Sequence, residues 1–126
     1  MDEKKYLKLN DVEAYKIAFH LSNYVWRLIE KWDSFAKNTL GRQFVDSTDS
    51  ISANIAEGFG RFGKKDKVHF FRIAKGSALE ALDWNEKAKY RNLLFETDYK
   101  HIFSELQKLP KSINSLIKFT NEKLTI

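Results

Sequence analysis

Arg61, Lys64, Lys65, Lys67, Arg72 and Lys75 fall within fifteen residues and are opposed there by a single acid, Asp66. Side chains of this kind at this density hold anions, arginine through a planar fork and lysine as a point charge. An anion-binding patch is the sharp reading of such charge, and a solvated helix end that only keeps the chain soluble is the bland one. With Arg42 upstream, the candidate nucleic-acid-binding residues are Arg42, Arg61, Lys64, Lys65, Lys67 and Arg72. The formal net charge of +5 arises wholly in residues 64–126. Catalysis has no comparable support. His20, His69 and His101 lie on three separate predicted helices, in no His-Glu-x-x-His or Glu-x-x-His pattern, so no metal site is expected. No serine sits in Gly-x-Ser-x-Gly and the chain has no cysteine. Gly58, Gly60 and Gly63 follow a helical stretch instead of a strand, which defeats a dinucleotide-loop reading. Glu57 and Arg61, acid first at i,i+4, read as an ion pair locking a helix end. Neither enzymatic activity nor a cofactor is expected.

The elements that must position these cations are all helical. Asn10 with Glu13 three residues on reads as a helix start, and Ala14, Ile17, Ala18, Leu21, Val25, Leu28 and Trp32 carry a first helix over about residues 11–32. After a polar connection at residues 33–37, Leu40, Phe44, Ser47, Thr48, Ile51, Ile55 and Phe59 form a second stripe ending at Gly60 or Gly63, glycines suited to a helix C-terminus. A third helix starts near Lys65 or Asp66, carries Phe71, Ala74, Ala78, Ala81, Leu82, Asn85 and Ala88, and ends near Leu94. A fourth begins at Thr97. Pro110 lacks a backbone donor and should interrupt it, yet Ile113, Leu116 and Ile117 resume the spacing, so a kinked or twice-started helix is predicted. The prediction is a single all-α domain over residues 1–126, an up-down-up-down four-helix bundle with its fourth helix kinked near Pro110. Phe19, Trp26, Phe70, Ile73 and Trp84 fall outside the core stripes, which points to a second buried surface and homo-oligomerisation. Small residues on helix two (Ser50, Ala53, Asn54, Gly58) and helix three (Gly76, Ser77) should allow close helix contact. No apolar run approaches the roughly 18 residues of a membrane span, so a soluble, cytoplasmic protein is expected.

Residues 50–61, Ser-Ile-Ser-Ala-Asn-Ile-Ala-Glu-Gly-Phe-Gly-Arg, closely resemble the signature of a bacterial family of small four-helix-bundle proteins. Its members include open reading frames inside intervening sequences of 23S ribosomal RNA genes, and the accessory variability protein of diversity-generating retroelements is similar. Residues 73–80, Ile-Ala-Lys-Gly-Ser-Ala-Leu-Glu, resemble the family's second motif, and residues 14–21 resemble a common opening. The resemblance implies a bundle that assembles into a homopentameric ring without known catalytic activity. For retroelement members it implies a basic surface that binds nucleic acid and a reverse transcriptase. Ile51 and Ile55 are then expected in the core, Asn54 and Glu57 as hydrogen-bonded structural residues, and Gly58 and Gly60 at the helix end. One departure stands out: Gln43-Phe44-Val45-Asp46-Ser47-Thr48-Asp49 replaces an Arg-rich stretch, putting two acids where basic residues are typical. Two functions compete, a non-catalytic nucleic-acid-binding oligomer and an oligomeric protein–protein scaffold. Phosphate contacts make affinity fall steeply with salt, and protein contacts do so far less.

Overall fold

A computed structural model describes residues 8–124. Helix α1 spans Glu13–Ile29, and its spacing buries Ala14, Ala18, Leu21, Ser22, Val25 and Ile29 on one face. Asn10 is not its cap. It lies inside a short 3-10 turn, Leu9–Asp11, and Val12 is the N-cap. Val12 is 6% exposed, so burial of an apolar side chain sets the entry of α1 in place of a polar cap. The helix also closes three residues earlier than expected. Lys31 and Trp32 donate their N–H groups back to Leu28 and Ile29, the tighter contacts of a terminating turn. Asp33 then caps the next helix by accepting the Ala36 N–H at 3.0 Å.

Helix α2 starts as Ser34–Ala36, widens through a π-helical turn at Lys37–Gly41, and continues as Arg42–Gly60. The wide turn sits where α2 crosses the end of α1. A Cβ on Gly41 would lie 2.8 Å from the Ile29 Cγ2, so glycine permits that crossing. Helix α3, Lys64–Tyr90, stops short of Leu94 because Asn92 turns into the left-handed region at φ 60. The Leu93 N–H then reaches back to the Ala88 carbonyl at 2.9 Å, the long return bond of a left-handed helix stop. Helix α4, Glu96–Lys123, is capped at Phe95, not Thr97, and carries Pro110 in its interior as one segment, so it is not started twice.

The short connections make successive helices antiparallel, and the four close into a ring in which α3 packs against both α2 and α4, and α1 against both as well. Phe44, Ile51 and Ile55 of α2 meet Phe71 of α3 and Ile102, Leu106, Leu109 and Ile113 of α4 in a single core. From Ala74 to Ala88, α3 faces that core chiefly with alanines, which brings its backbone close to its neighbours. Among these sits buried Asn85, whose Nδ2 donates to the Tyr99 carbonyl and ties α3 to the start of α4.

Candidate nucleic-acid interface

The signature residues build the seam between α2 and α3. Ile51 and Ile55 are fully buried. On the adjoining face, Asn54 Nδ2 donates to the Ser50 carbonyl at 2.8 Å and to Ser50 Oγ at 2.9 Å. Ser77 Oγ donates to Ser50 Oγ across the seam at 2.9 Å. Gly58 sets the closest approach. A Cβ there would lie 2.7 Å from the Phe71 ring and 2.9 Å from the Lys67 carbonyl oxygen, and a backbone oxygen cannot swing away. Gly60 and Gly76 differ, since a Cβ on either would meet nothing within 4 Å. Gly76 and exposed Ala53 therefore take no part in helix contact within the chain. Helix α2 does end at Gly60, but Arg61 follows in extended conformation and no glycine adopts a left-handed φ among the described residues.

Three of the expected basic residues are engaged at helix ends. Arg61 pairs with Glu57 at 2.8 Å and more distantly with Asp66 at 3.5 Å, its guanidinium lying over the Phe70 ring. Lys67 Nζ donates to the Phe59 carbonyl at 2.7 Å, capping the negative end of α2. Partial burial there lowers its pKa from the usual lysine value. Lys64 Nζ does the same for α4, donating to the carbonyls of Asn121 and Leu124. Lys65 and Arg72 are exposed and make no hydrogen bond, ion pair or ring contact among the described residues. Arg42 is also exposed, but eighteen residues separate it from Gly60, about 27 Å along the helix. It lines, with Asp46, Trp26, Glu30 and Lys37, a groove of about 440 Å³ between α1 and α2. Hence the Asp46 acid that departs from the family pattern faces this groove. Partial burial and the neighbouring Asp46 push the Asp49 carboxyl upward.

Helix α4 supplies the cations that sequence spacing alone does not place. Lys64 at Asn121 and Lys75 Nζ at Asn114 Oδ1, 3.1 Å, fix the antiparallel register of α3 against α4. In that register Lys111 and Lys118 of α4 lie alongside the first half of α3. Both are exposed and uncommitted among the described residues. Lys65 and Arg72 on α3, like Lys111 and Lys118 on α4, are two turns apart, about 10.5 Å on one helix face. Residues 67–79 and 106–121, the facing halves, contain no Asp or Glu. The result is a two-helix ridge whose positive potential is not cancelled by carboxylates within these stretches, Asp66 standing at its edge beside Lys65. The absence of acids from residues 106–121 was readable in the sequence, but its meaning depends on a pairing 40 residues away.

No group of three or more His, Cys, Asp or Glu side chains able to hold a metal gathers among the described residues, and no helix there is long and apolar enough to cross a membrane. Helix order and core define a four-helix-bundle protein. The chain belongs to the 23S rRNA-intervening sequence protein family, whose model matches residues 10–115. It is similar in fold to a crystal structure from Bacteroides thetaiotaomicron, described as a protein of unknown function from the S23 ribosomal protein family. The TM-score is 0.74 at 22% identity, over 83% of this chain and 98% of that one. No curated protein matches the chain significantly.

Proposed function

We propose that this protein is a non-catalytic, homo-oligomeric nucleic-acid-binding bundle that meets phosphates along the α3/α4 ridge. The observation that carries this reading is the pairing of two acid-free helix stretches, 67–79 and 106–121, with Arg72, Lys111 and Lys118 uncommitted there and Lys65, beside Asp66, uncommitted at their edge. The first turn of α3 adds backbone N–H groups, since Gly63 offers no side-chain cap. The family's link to 23S rRNA genes fits a nucleic-acid partner. Arg61, Lys64 and Lys67 support the ridge by fixing helix ends, and Arg42 lies outside it. Exposed Phe19, Trp26, Ile73, Leu79, Phe103 and Phe119 supply apolar area for self-association. The family resemblance makes a pentamer the expected state, and a ring repeats the ridge in every subunit so that weak contacts add.

Fluorescence anisotropy with labelled RNA and DNA across a salt series tests the reading. Four neutralised phosphates predict a log–log slope of roughly −3.6 on duplex DNA and roughly −2.8 on a single strand. Changing Lys65, Arg72, Lys111 and Lys118 to Ala should flatten that slope and weaken binding across sequences, with the fold intact. Affinity that does not respond to salt or to the fourfold change would remove the ridge from the function. Gel filtration with light scattering checks the oligomer, and a monomer at micromolar concentration would refute it. The scaffold alternative draws on Phe19 and Trp26, 44% and 52% exposed on α1, well away from the ridge. Absence of any nucleic-acid binding by the parent protein would favour it.

A further inference from the structure

The connector between α2 and α3, residues 61–63, carries a phenylalanine that the bundle does not use. Phe62 is 80% exposed, among the most exposed large apolar side chains, and it joins no core cluster. A Cβ on neighbouring Gly63 would meet nothing within 4 Å, so the connector is open there too. The backbone beneath it is nevertheless held. On one side the Arg61 N–H donates to the Gly58 carbonyl and the Arg61 side chain is fastened to Glu57 and Asp66. On the other, the Lys67 N–H donates to the Gly63 carbonyl and Lys64 is tethered to the end of α4. An exposed aromatic ring on a braced connector therefore stands at the foot of the ridge, three residues from Lys65.

Building on the nucleic-acid reading above, we propose that Phe62 is a stacking platform for an unpaired base whose strand continues along Lys65, Lys118, Arg72 and Lys111, so that the ridge prefers single-stranded to duplex nucleic acid. Phe35, Tyr90 and Phe95 are as exposed, but Phe62 alone of these four adjoins the ridge cations, and a cation-flanked ring matches the alternation of charge and π-face in a single strand. Every base presents a π-face, so such a platform accepts any sequence, whereas a duplex hides those faces within its own stack. Because the connector is braced on both sides, little ordering is required when a base arrives.

The test compares a fluorescein-labelled 20-nucleotide oligo-uridine and oligo-thymidine with a 20-base-pair mixed-sequence duplex, using the full chain and anisotropy. Phe62→Ala should weaken single-strand binding roughly 5- to 150-fold, the range a lost base–aromatic stack implies, and leave duplex binding within about twofold. Phe62→Trp should restore or exceed the parent affinity and show indole quenching on single-strand addition. An equal loss on duplex and single strand, or no loss on either, would overturn the platform. A Phe62→Ala change in oligomeric state by light scattering would overturn it too, by assigning the ring to a subunit contact. These outcomes leave the ridge standing if the fourfold charge change still flattens the salt slope. Failure of the parent to bind any of the probes defeats the nucleic-acid reading itself.

Discussion

Helix α3 is flanked by α2 on one side and by α4 on the other, and the two seams use their polar side chains in different ways. Against α2, the polar residues are paired within the protein: Ser77 with Ser50, Ser50 with Asn54, Arg61 with Glu57 and Asp66, Lys67 with the end of α2. Against α4, Asn85 and Glu86 are paired with Tyr99 at the far end, but along the first half of α3 Lys64 and Lys75 set the register, and Lys65, Arg72, Lys111 and Lys118 are left facing outward without partners among the described residues. Recognisability and availability thus run in opposite directions. The signature segment is distinctive because close packing at Gly58 and the Ser50–Ser77 contact tolerate few residue types. A solvated cation ridge tolerates many.

The comparison breaks most directly on stability. Ile55→Ala should lose roughly 2–5 kcal/mol, because truncating a fully buried side chain leaves a cavity in the core. Gly58→Ala should lose roughly 1–3 kcal/mol through overpacking against the Lys67 backbone and Phe71 ring. Gly60→Ala and Gly63→Ala meet open space without a left-handed φ, and should be neutral or stabilising by up to about 1 kcal/mol. Urea denaturation of the four variants decides it. If Gly58→Ala behaves like Gly60→Ala, the α2–α3 seam is not closely packed.

The seam between α1 and α4 sharpens the same contrast. The Tyr24 hydroxyl donates to Asp98 across it. Burial, reinforced by that carboxylate, raises the Tyr24 pKa from 10.0 to about 12. Tyr99, whose hydroxyl donates to Glu86, is also raised to about 12. The folded state thus holds these protons where the unfolded chain releases them. Their contribution is fully present below pH 10 and is lost as pH rises from about 10 to about 12. Tyr24→Phe should make the fall in stability over that window shallower, leaving the Tyr99 share. Denaturation midpoints measured from pH 9 to 11.5 test this, and identical slopes in parent and variant would mean that the Tyr24–Asp98 bond does not form in solution.

Much of this fold was legible because apolar spacing survives any choice of cap. Ala14, Ala18, Leu21 and Val25, then Phe44, Ile51 and Ile55, then Phe71, Ala74, Ala78, Ala81 and Ala88, and Ile113 are core as their periodicity requires, whereas Ile29, off the predicted stripe, is buried where Leu28 and Trp32 are only partly so. The ends were less legible. Val12 and Phe95 stand where polar caps were expected, and Asn92 stops α3 through a left-handed turn that has no spacing signal. The basic corner was visible as charge, but charge does not say whether a lysine faces solvent or the carbonyls of a helix end. Lys64 and Lys67 reach carbonyls of α4 and α2, contacts that exist only once those helices are placed. Lys111 and Lys118 carry no local signal for the same reason: they are remote in sequence from the corner they join.

Arg61 belongs to both sides of the comparison and allows its smallest test. Its pair with Glu57 is close at 2.8 Å, yet the two side chains are 42% and 50% exposed. Solvent and salt screen such a pair, so its contribution should be only about 0.2–1 kcal/mol. Glu57→Gln keeps the size and hydrogen-bonding capacity of the side chain and removes its charge. Stability should therefore fall by no more than about 0.5 kcal/mol, and less at high salt. The same change leaves the Arg61 guanidinium, over the Phe70 ring, with only the more distant Asp66 carboxylate, at 3.5 Å, as its acidic partner. If Arg61 is held back from nucleic acid by Glu57, the variant should bind single strands a few-fold more tightly, with the salt slope steeper by about 0.7. Anisotropy across the salt series reads both quantities. An unchanged slope would keep Arg61 on the structural side, its guanidinium still committed to Asp66 and the Phe70 ring.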